Sequence, residues 1–342
     1  MKILNAIHAQ SIGGVDQMFR NYASSLSAAG HEIALLISDN GNDNYKIANI
    51  KKIFKLKNNS QISDCLKLLV ILLIYRPKVI ICHSNRLMKW MRILRFFTGT
   101  KSIAVNHGIS FKNSLHCDYI ISINQQISDL VVAAGFDKLR SFVLPNTINV
   151  DCKYQQKTIT KPLTIGMYGR IEPRKGFDIL FKAAAILQQK NIDFRLKIGG
   201  FEVPGGYNWQ YLEDFAKEQK IYDKCKFVGV VTDKKSFFSD VDIFCVPSRE
   251  EPFGLVILEG FLYSTLVISS DSVGGKFLIE DGKNGVLFQN ENHEDLADKI
   301  LFATSNQEKY CDFTAKAYLK LIDHFSEKSF AKNFNQILDK LS

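Results

Sequence analysis

Two cations stand five positions apart in the run Gly169-Arg170-Ile171-Glu172-Pro173-Arg174-Lys175-Gly176. Arginine presents a planar fork of N–H donors and lysine a compact point charge, a combination that matches a diphosphate. The run follows a strand-like segment and opens a helix-like one, so both side chains can converge on one anion at a strand's carboxyl end. A solvated basic loop is the plain alternative, and Arg174 reads that way. A second run, from Ser248 to Glu259, sets Glu251 in a loop and Glu259 in the helix behind it, with Pro252-Phe253-Gly254 between them. Carboxylates so placed can accept hydrogen bonds from hydroxyl groups, while the N–H groups of Leu255 and Val256 at the helix start face a phosphate. A capped helix with a surface glutamate is the bland reading of the same residues. Gly13-Gly14 forms a third cluster, at a strand-to-helix turn where paired glycines let backbone approach a ligand; alone, it is a turn. His107, in Asn106-His107-Gly108, follows a strand-like run and offers an imidazole, with His8 a second choice.

These clusters need elements to hold them. Strand-like segments at 2–8, 32–38, 79–82, 102–105, 119–123 and 142–144 alternate with helix-like ones, among them 16–29 and a helix over 63–75 that reads as buried. Residues 145–162 are polar, bracketed by prolines, and read as a linker. The rhythm restarts with strands at 163–168, 194–198, 226–230, 243–246 and 266–269, and the tail from 294 is helical in three pieces. This βαβα order predicts α/β architecture, two doubly wound parallel-sheet domains over 1–150 and 151–325, facing across a cleft. A last helix at 326–342 is expected to pack back toward the first domain.

A length of 342 residues suits two domains, and 46% hydrophobic against 23% charged residues excludes a disordered or fibrous chain. Seven scattered cysteines without a C-x-x-C pair argue against disulfide or zinc frameworks and for a reducing compartment. The first residues read as a strand and turn, not a leader, and the apolar stretch 66–75 falls far short of the roughly 20 residues that span a bilayer. The expected place is therefore cytoplasmic. The net charge of +9 lies wholly in the first half: residues 1–150 hold 18 basic and 8 acidic side chains. Within 46–101 there are 13 basic residues and one acidic, Asp64. Such a field attracts anionic surfaces.

Taken in order, the Gly13-Gly14 turn, Leu144-Pro145-Asn146-Thr147, Tyr168-Gly169-Arg170 with Lys175-Gly176, Phe227-Val228-Gly229, residues 242–248, Glu251 through Glu259 and Asp281-Gly282-Lys283-Asn284-Gly285 resemble the family-four retaining glycosyltransferases. The resemblance spans nearly the whole chain and implies the GT-B fold and sugar transfer from a nucleotide-diphosphate donor. It implies that Arg170 and Lys175 hold the diphosphate, with Gly169 beside them, and stabilise the leaving group. By the same resemblance Glu259 binds ribose, Glu251 with the backbone of Phe253 and Gly254 contacts the donor sugar, and Leu255 and Val256 face phosphate. The loop after Val228, including Val230, holds the base, Gly13 and Gly14 approach the phosphates, and His107 lies near the sugar. One departure stands out: Lys276 and Phe277 follow Gly274-Gly275, where the family usually has an acidic residue.

Fixed cations suffice for the leaving group, so no metal and no other cofactor is expected. The acceptor is expected to be a glycan or glycolipid in polysaccharide or lipopolysaccharide assembly. The run from Lys89 to Phe97 mixes cations with bulky apolar groups and suits an anionic membrane at the inner face, an anionic soluble glycan, or simple packing on its own sheet. An epimerase of similar shape and a catalytically silent partner subunit remain as alternatives. Nucleic-acid binding has no recognisable module here, and no G-x-G-x-x-G follows a strand to support a dehydrogenase.

Overall fold

The computed structural model describes residues 1–8, 13–39, 47, 49–57 and 60–341. Residues 46, 48, 58 and 59 of the basic stretch lie outside that set. The chain forms two compact units, Met1–Asn149 with Phe325–Ser342, and Val150–His324.

The first unit runs β1 (Lys2–Ala6), α1 (Gly14–Ala28), β2 (Glu32–Ser38), β3 (Lys52–Leu56), α2 (Gln61–Tyr75), β4 (Val79–Cys82), α3 (Asn85–Thr98), β5 (Lys101–Asn106), β6 (Tyr119–Ser122), α4 (Gln125–Ala133) and β7 (Ser141–Val143). Its sheet has the order β3-β2-β1-β4-β5-β6-β7, and every pairing is parallel. The order reverses between β1 and β4, which are in register from Ile3 against Val79 to Ala6 against Cys82. All four residues of β4 are buried, as both-face coverage by helices requires.

The second unit runs β8 (Leu163–Arg170), α5 (Phe177–Gln189), β9 (Phe194–Phe201), α6 (Trp209–Glu218), β10 (Cys225–Gly229), α7 (Lys234–Phe238), β11 (Ile243–Val246), α8 (Leu255–Leu262), β12 (Leu266–Ser270), α9 (Val273–Leu278), β13 (Val286–Phe288), α10 (His293–Thr304) and α11 (Gln307–Phe325). Its parallel sheet has the order β10-β9-β8-β11-β12-β13, so the reversal falls between β8 and β11.

Two sequence expectations change. Residues 63–75 are helical but not buried all round. Only Asp64, Leu68, Ile71, Leu72 and Tyr75 of α2 face the core, while Ile62, Leu66, Val70, Leu73 and Ile74 face outward. A helix with apolar residues on every side gives no polar stripe to mark its outer face. The expected linker is also not free. Its later part is pinned within the second unit, where the N–H groups of Gln155 and Ile159 donate to Ser264 Oγ and Gln307 Oε1, each at 3.0 Å.

After α11 the chain re-enters the first unit. Phe325 O accepts from Thr147 Oγ1 at 2.8 Å and from Ile148 N at 3.0 Å. The helix α12 (Glu327–Asp339) then buries Phe330, Phe334, Ile337 and Leu338, one apolar face at helical spacing. The Phe330 and Phe334 rings meet Tyr22 of α1 at centroid distances of 4.6 and 5.8 Å. Phe334→Ala should cost the first unit about 3–5 kcal/mol. The check is the urea transition of Trp90 fluorescence in a Trp209→Phe background; an unmoved midpoint would deny the helix a supporting role.

Candidate functional site

In an open parallel sheet the ligand crevice lies at the carboxyl ends of the strands where the order reverses. In the second unit those ends are Arg170, closing β8, and the loop after Val246. The two loops touch closely because glycine allows it. Gly176 has φ +72°, and a Cβ there would sit 2.0 Å from Pro247 O. Gly274, likewise, has no room for a Cβ, which would meet Phe253 O at 2.4 Å.

Lys175 folds back over Gly169 and reaches Glu251, Nζ to Oε2 at 2.6 Å. Both side chains are mostly buried. The other oxygen of Glu251 accepts from Gly254 N at 3.1 Å, and Glu251 O accepts from Gly274 N at 2.6 Å. Gly254, with φ +93°, is the residue before α8, so Leu255 and Val256 form that helix's first turn. Phe253 is buried and its ring packs on Phe277 at 5.7 Å. Phe277 thus holds the Phe253 turn by apolar contact. Arg170 pairs with Glu172 at 3.1 Å, and Arg174 pairs with the same carboxylate oxygen at 3.0 Å.

Glu259 lies deeper, 3% exposed. Its Oε2 accepts from the Tyr168 hydroxyl and from Lys234 Nζ at 3.3 Å, with the ammonium 4.0 Å from the centre of the Tyr168 ring. Burial, reinforced by the Glu259 carboxylate, pushes the Tyr168 phenol well up, so it stays a donor. Val230, beyond β10, is 60% exposed.

Sequence reasoning missed the clamp behind the basic loop. The Arg249 guanidinium forks onto Asp178 at 2.9 and 2.7 Å, and it also donates to Pro173 O at 2.7 Å. Burial favours the protonated Asp178, but the Arg249 fork outweighs it and holds the carboxyl below its usual range. Nothing in the spacing links residues 71 apart. Tyr168 and Lys234 were missed too, although Tyr168 adjoins Gly169. The triplet Asp240-Val241-Asp242 has the form of a metal-holding motif. Here Asp242 accepts from Thr164 N and Thr160 Oγ1, each at 2.8 Å, and Asp240 pairs with Lys197. No group of three potential metal ligands occurs among the described residues.

In the first unit a cavity of about 780 Å³ opens at the β1/β4 reversal, bordered by His8, Val15, His83, Arg86, Asn106 and His107. Gly13 precedes α1 and Gly14 begins it, next to Val15. His107 Nε2 lies 3.0 Å from His83 Nδ1, and His83 Nε2 lies 2.9 Å from Asn5 Oδ1. His8 sits between Asp64, 3.4 Å from Nε2, and Arg86, 3.3 Å from Nδ1. Burial holds His107 down at about 4, and burial with the neighbouring ring lowers His83 as well.

Residues 152–320 match the family model described as glycosyl transferases group 1. An uncharacterized glycosyltransferase of Haemophilus influenzae is 24% identical over 93% of this chain and 94% of its own length. The lipopolysaccharide core biosynthesis glycosyltransferase LpsE of Rhizobium meliloti is 27% identical over 52% of this chain; the match spans about half of LpsE, 49%. Among solved structures, HepE of Anabaena in complex with UDP and glucose superposes with a TM-score of 0.84 at 19% identity, covering 99% of each chain. The fold is that of GT-B proteins, two Rossmann-like α/β units with parallel sheets, as the sequence led us to expect.

The neutral histidines carry a pH dependence with a definite sign. Their folded values lie below the usual value of about 6.5, so the unfolded chain takes up protons first as pH falls. The first unit should keep this stability in full above about pH 6.5 and lose it progressively toward about 4. Urea midpoints across that range check it, and a slope unchanged by His107→Asn would place the acid loss elsewhere.

Proposed function

We propose, from the premise that residues 152–320 belong to the group 1 glycosyl transferases, that this chain moves a sugar from a nucleotide-diphosphate donor to a glycan or lipid-linked acceptor, with retention of anomeric configuration. The observation that carries the reading is the Lys175–Glu251 pair at 2.6 Å, set beside Arg170 at the reversal of the second sheet. The bond from the anomeric carbon to the diphosphate oxygen breaks, and its electron pair leaves with the phosphate. A bond to an acceptor hydroxyl oxygen forms, and that hydroxyl's proton passes to the departing phosphate oxygen. Negative charge thus grows on the phosphate oxygen, where Lys175, Arg170 and the N–H groups of Leu255 and Val256 receive it. Because these groups are fixed cations and dipoles, the reaction needs no divalent ion. Glu251, held by Gly254, and the backbone of Phe253 and Gly254 take donor-sugar hydroxyls. Glu259 engages Tyr168 and Lys234 through Oε2, which leaves Oε1 for the ribose. The surface beside Gly169 and Val230 takes the nucleoside. The Anabaena relative's UDP and glucose favour a uridine donor, and the Rhizobium relative's role favours a cell-surface glycan as product.

The outer face of the first unit supports a membrane-borne acceptor. No helix among the described residues is long and apolar enough to cross a membrane. Yet α2 turns Ile62, Leu66, Val70, Leu73 and Ile74 outward, and α3, packed beside it, exposes Ile93, Phe96 and Phe97, with Phe96 at 76%. Lys67, Arg76, Lys78, Lys89 and Arg92 are exposed on and around these helices. Apolar side chains ringed by cations suit the headgroup region of an anionic bilayer. The chain is then a peripheral protein of the cytoplasmic membrane face, working on a lipid-linked acceptor.

Lys175→Ala should lower kcat by about a hundredfold to a thousandfold while the far-ultraviolet dichroism stays native. Turnover unchanged in both Lys175→Ala and Arg170→Ala would remove the leaving-group role. The protein should also sediment with vesicles containing phosphatidylglycerol at low salt and less with neutral ones. Leu66→Ser with Phe96→Ser should abolish the binding; equal sedimentation of wild type and variant would reject this face as the contact.

A further inference from the structure

The cavity at the first unit's reversal contains a chain of three side chains whose hydrogens can be assigned by logic alone. Asn5 lies 2.8 Å from the carbonyl oxygen of Phe19. A carbonyl oxygen only accepts, so the Asn5 atom facing it is the amide nitrogen, and Oδ1 must be the atom turned to His83. An amide oxygen also only accepts, so His83 Nε2 carries the proton. Neutral imidazole has one N–H, and His83 is neutral in its buried place. Its Nδ1 is therefore a bare lone pair, and His107 Nε2, 3.0 Å away, must be the donor. One proton now sits on His107 Nε2, and Nδ1 is the nitrogen left to meet a ligand.

The geometry holds this chain in place. The His83 and His107 rings lie nearly coplanar, 22° apart with centroids at 5.2 Å, and His83 is held edge-on by Tyr22 at 4.9 Å and by Phe19 at 5.7 Å. A separate observation says that the cavity awaits a polar ligand. Asn106 borders it and is 2% exposed, yet neither amide atom has a hydrogen-bond partner among the described residues. Unpaired buried amides are costly, and a ligand that both donates and accepts would relieve that cost.

We propose that Asn5 and His83 are positioning residues that lock His107 as the tautomer protonated on Nε2, so that the cavity grips its ligand through a hydroxyl donating to Nδ1. The ligand class is a polyhydroxylated molecule, and the assignment of that molecule as a sugar of the transfer reaction rests on the function proposed above. A sugar hydroxyl has the donor that Nδ1 requires and the acceptor that Asn106 can also use. An anionic oxygen brings no proton and would meet a lone pair.

Nitrogen NMR of isotope-labelled histidine tests the lock without any substrate. His107 should show a protonated Nε2 and a bare Nδ1. His83→Phe removes the acceptor and should spread His107 over both tautomers. His83→Asn puts an amide oxygen near the place of Nδ1 and should restore the native pattern. Asn5→Leu, which frees the His83 tautomer, serves as the second variant should His83→Phe fail to fold. A native His107 protonated on Nδ1, or tautomers unmoved by the variants, would overturn the proposal. Glucose probes the ligand contact within the first unit: it should move the Nδ1 resonance of His107 in the wild type, move it less in His83→Phe and move it again in His83→Asn. An Nδ1 unmoved by saturating glucose would overturn the hydroxyl contact, while the transferase reading stands or falls separately on Lys175→Ala and Arg170→Ala.

Discussion

Strand order reverses once in each of the two parallel sheets, and the chemistry of the chain depends on that constraint. Where neighbouring strands send their connections to opposite faces, the loops diverge and leave a crevice. Between β1 and β4 the crevice receives His8 and His83, the first residues past or near those strands' ends. Between β8 and β11 it receives Arg170 and the loop that carries Glu251. Among the described residues no other pair of adjacent strands in either sheet has this divergence. The glycines at 176 and 274 then decide how tightly the second crevice closes, since each lies where a single Cβ would collide with a backbone oxygen.

The two crevices solve opposite electrostatic problems. The second holds charge and keeps it neutral until a ligand arrives. Lys175 rests on Glu251, so the ammonium is not left bare in a mostly buried place. Gly254 N holds the other oxygen of Glu251, so the carboxylate is fixed at both ends. Arg249, pinned on Asp178, stiffens the loop from behind. In the first crevice His83 and His107 are pressed toward the neutral form, and direction comes from which lone pair is bare.

Much of this could be read from residue order. Alternating strand and helix patterns gave both sheets nearly whole, because β4 and β11 are continuous apolar runs and the glycine-rich turns follow their partners. Arg170, Lys175, Glu251 and Gly254 were legible because each lies in a short run at a strand's end, and those runs are what the strand order brings together. Pairings across long separations were not legible. Asn5 with His83, Arg249 with Asp178, and Lys234 with Glu259 join residues that share no local pattern. The strand β3 was missed because Lys52, Ile53, Phe54, Lys55 and Leu56 form a half-exposed edge without clean alternation. The outer face of α2 was misjudged for a different reason: apolar density measures how much a helix can bury, and only the packing decides which side it buries.

The last helix shows how support for the site is distributed along the chain. Phe330 packs on Tyr22, and Tyr22 packs on His83, so a residue near the chain's end reaches the lone pair of His107 through three successive contacts. Each contact is weak alone, but aromatic edges and one hydrogen bond leave few alternative ring orientations. The tautomer of His107 therefore depends on rings that never touch the ligand. Residues 325–341 belong structurally to the first unit although they follow the second in sequence. A truncation that removed them would leave Arg170, Lys175 and Glu251 untouched while loosening the wall that orients the imidazoles. Charge and orientation are thus held by separate cores.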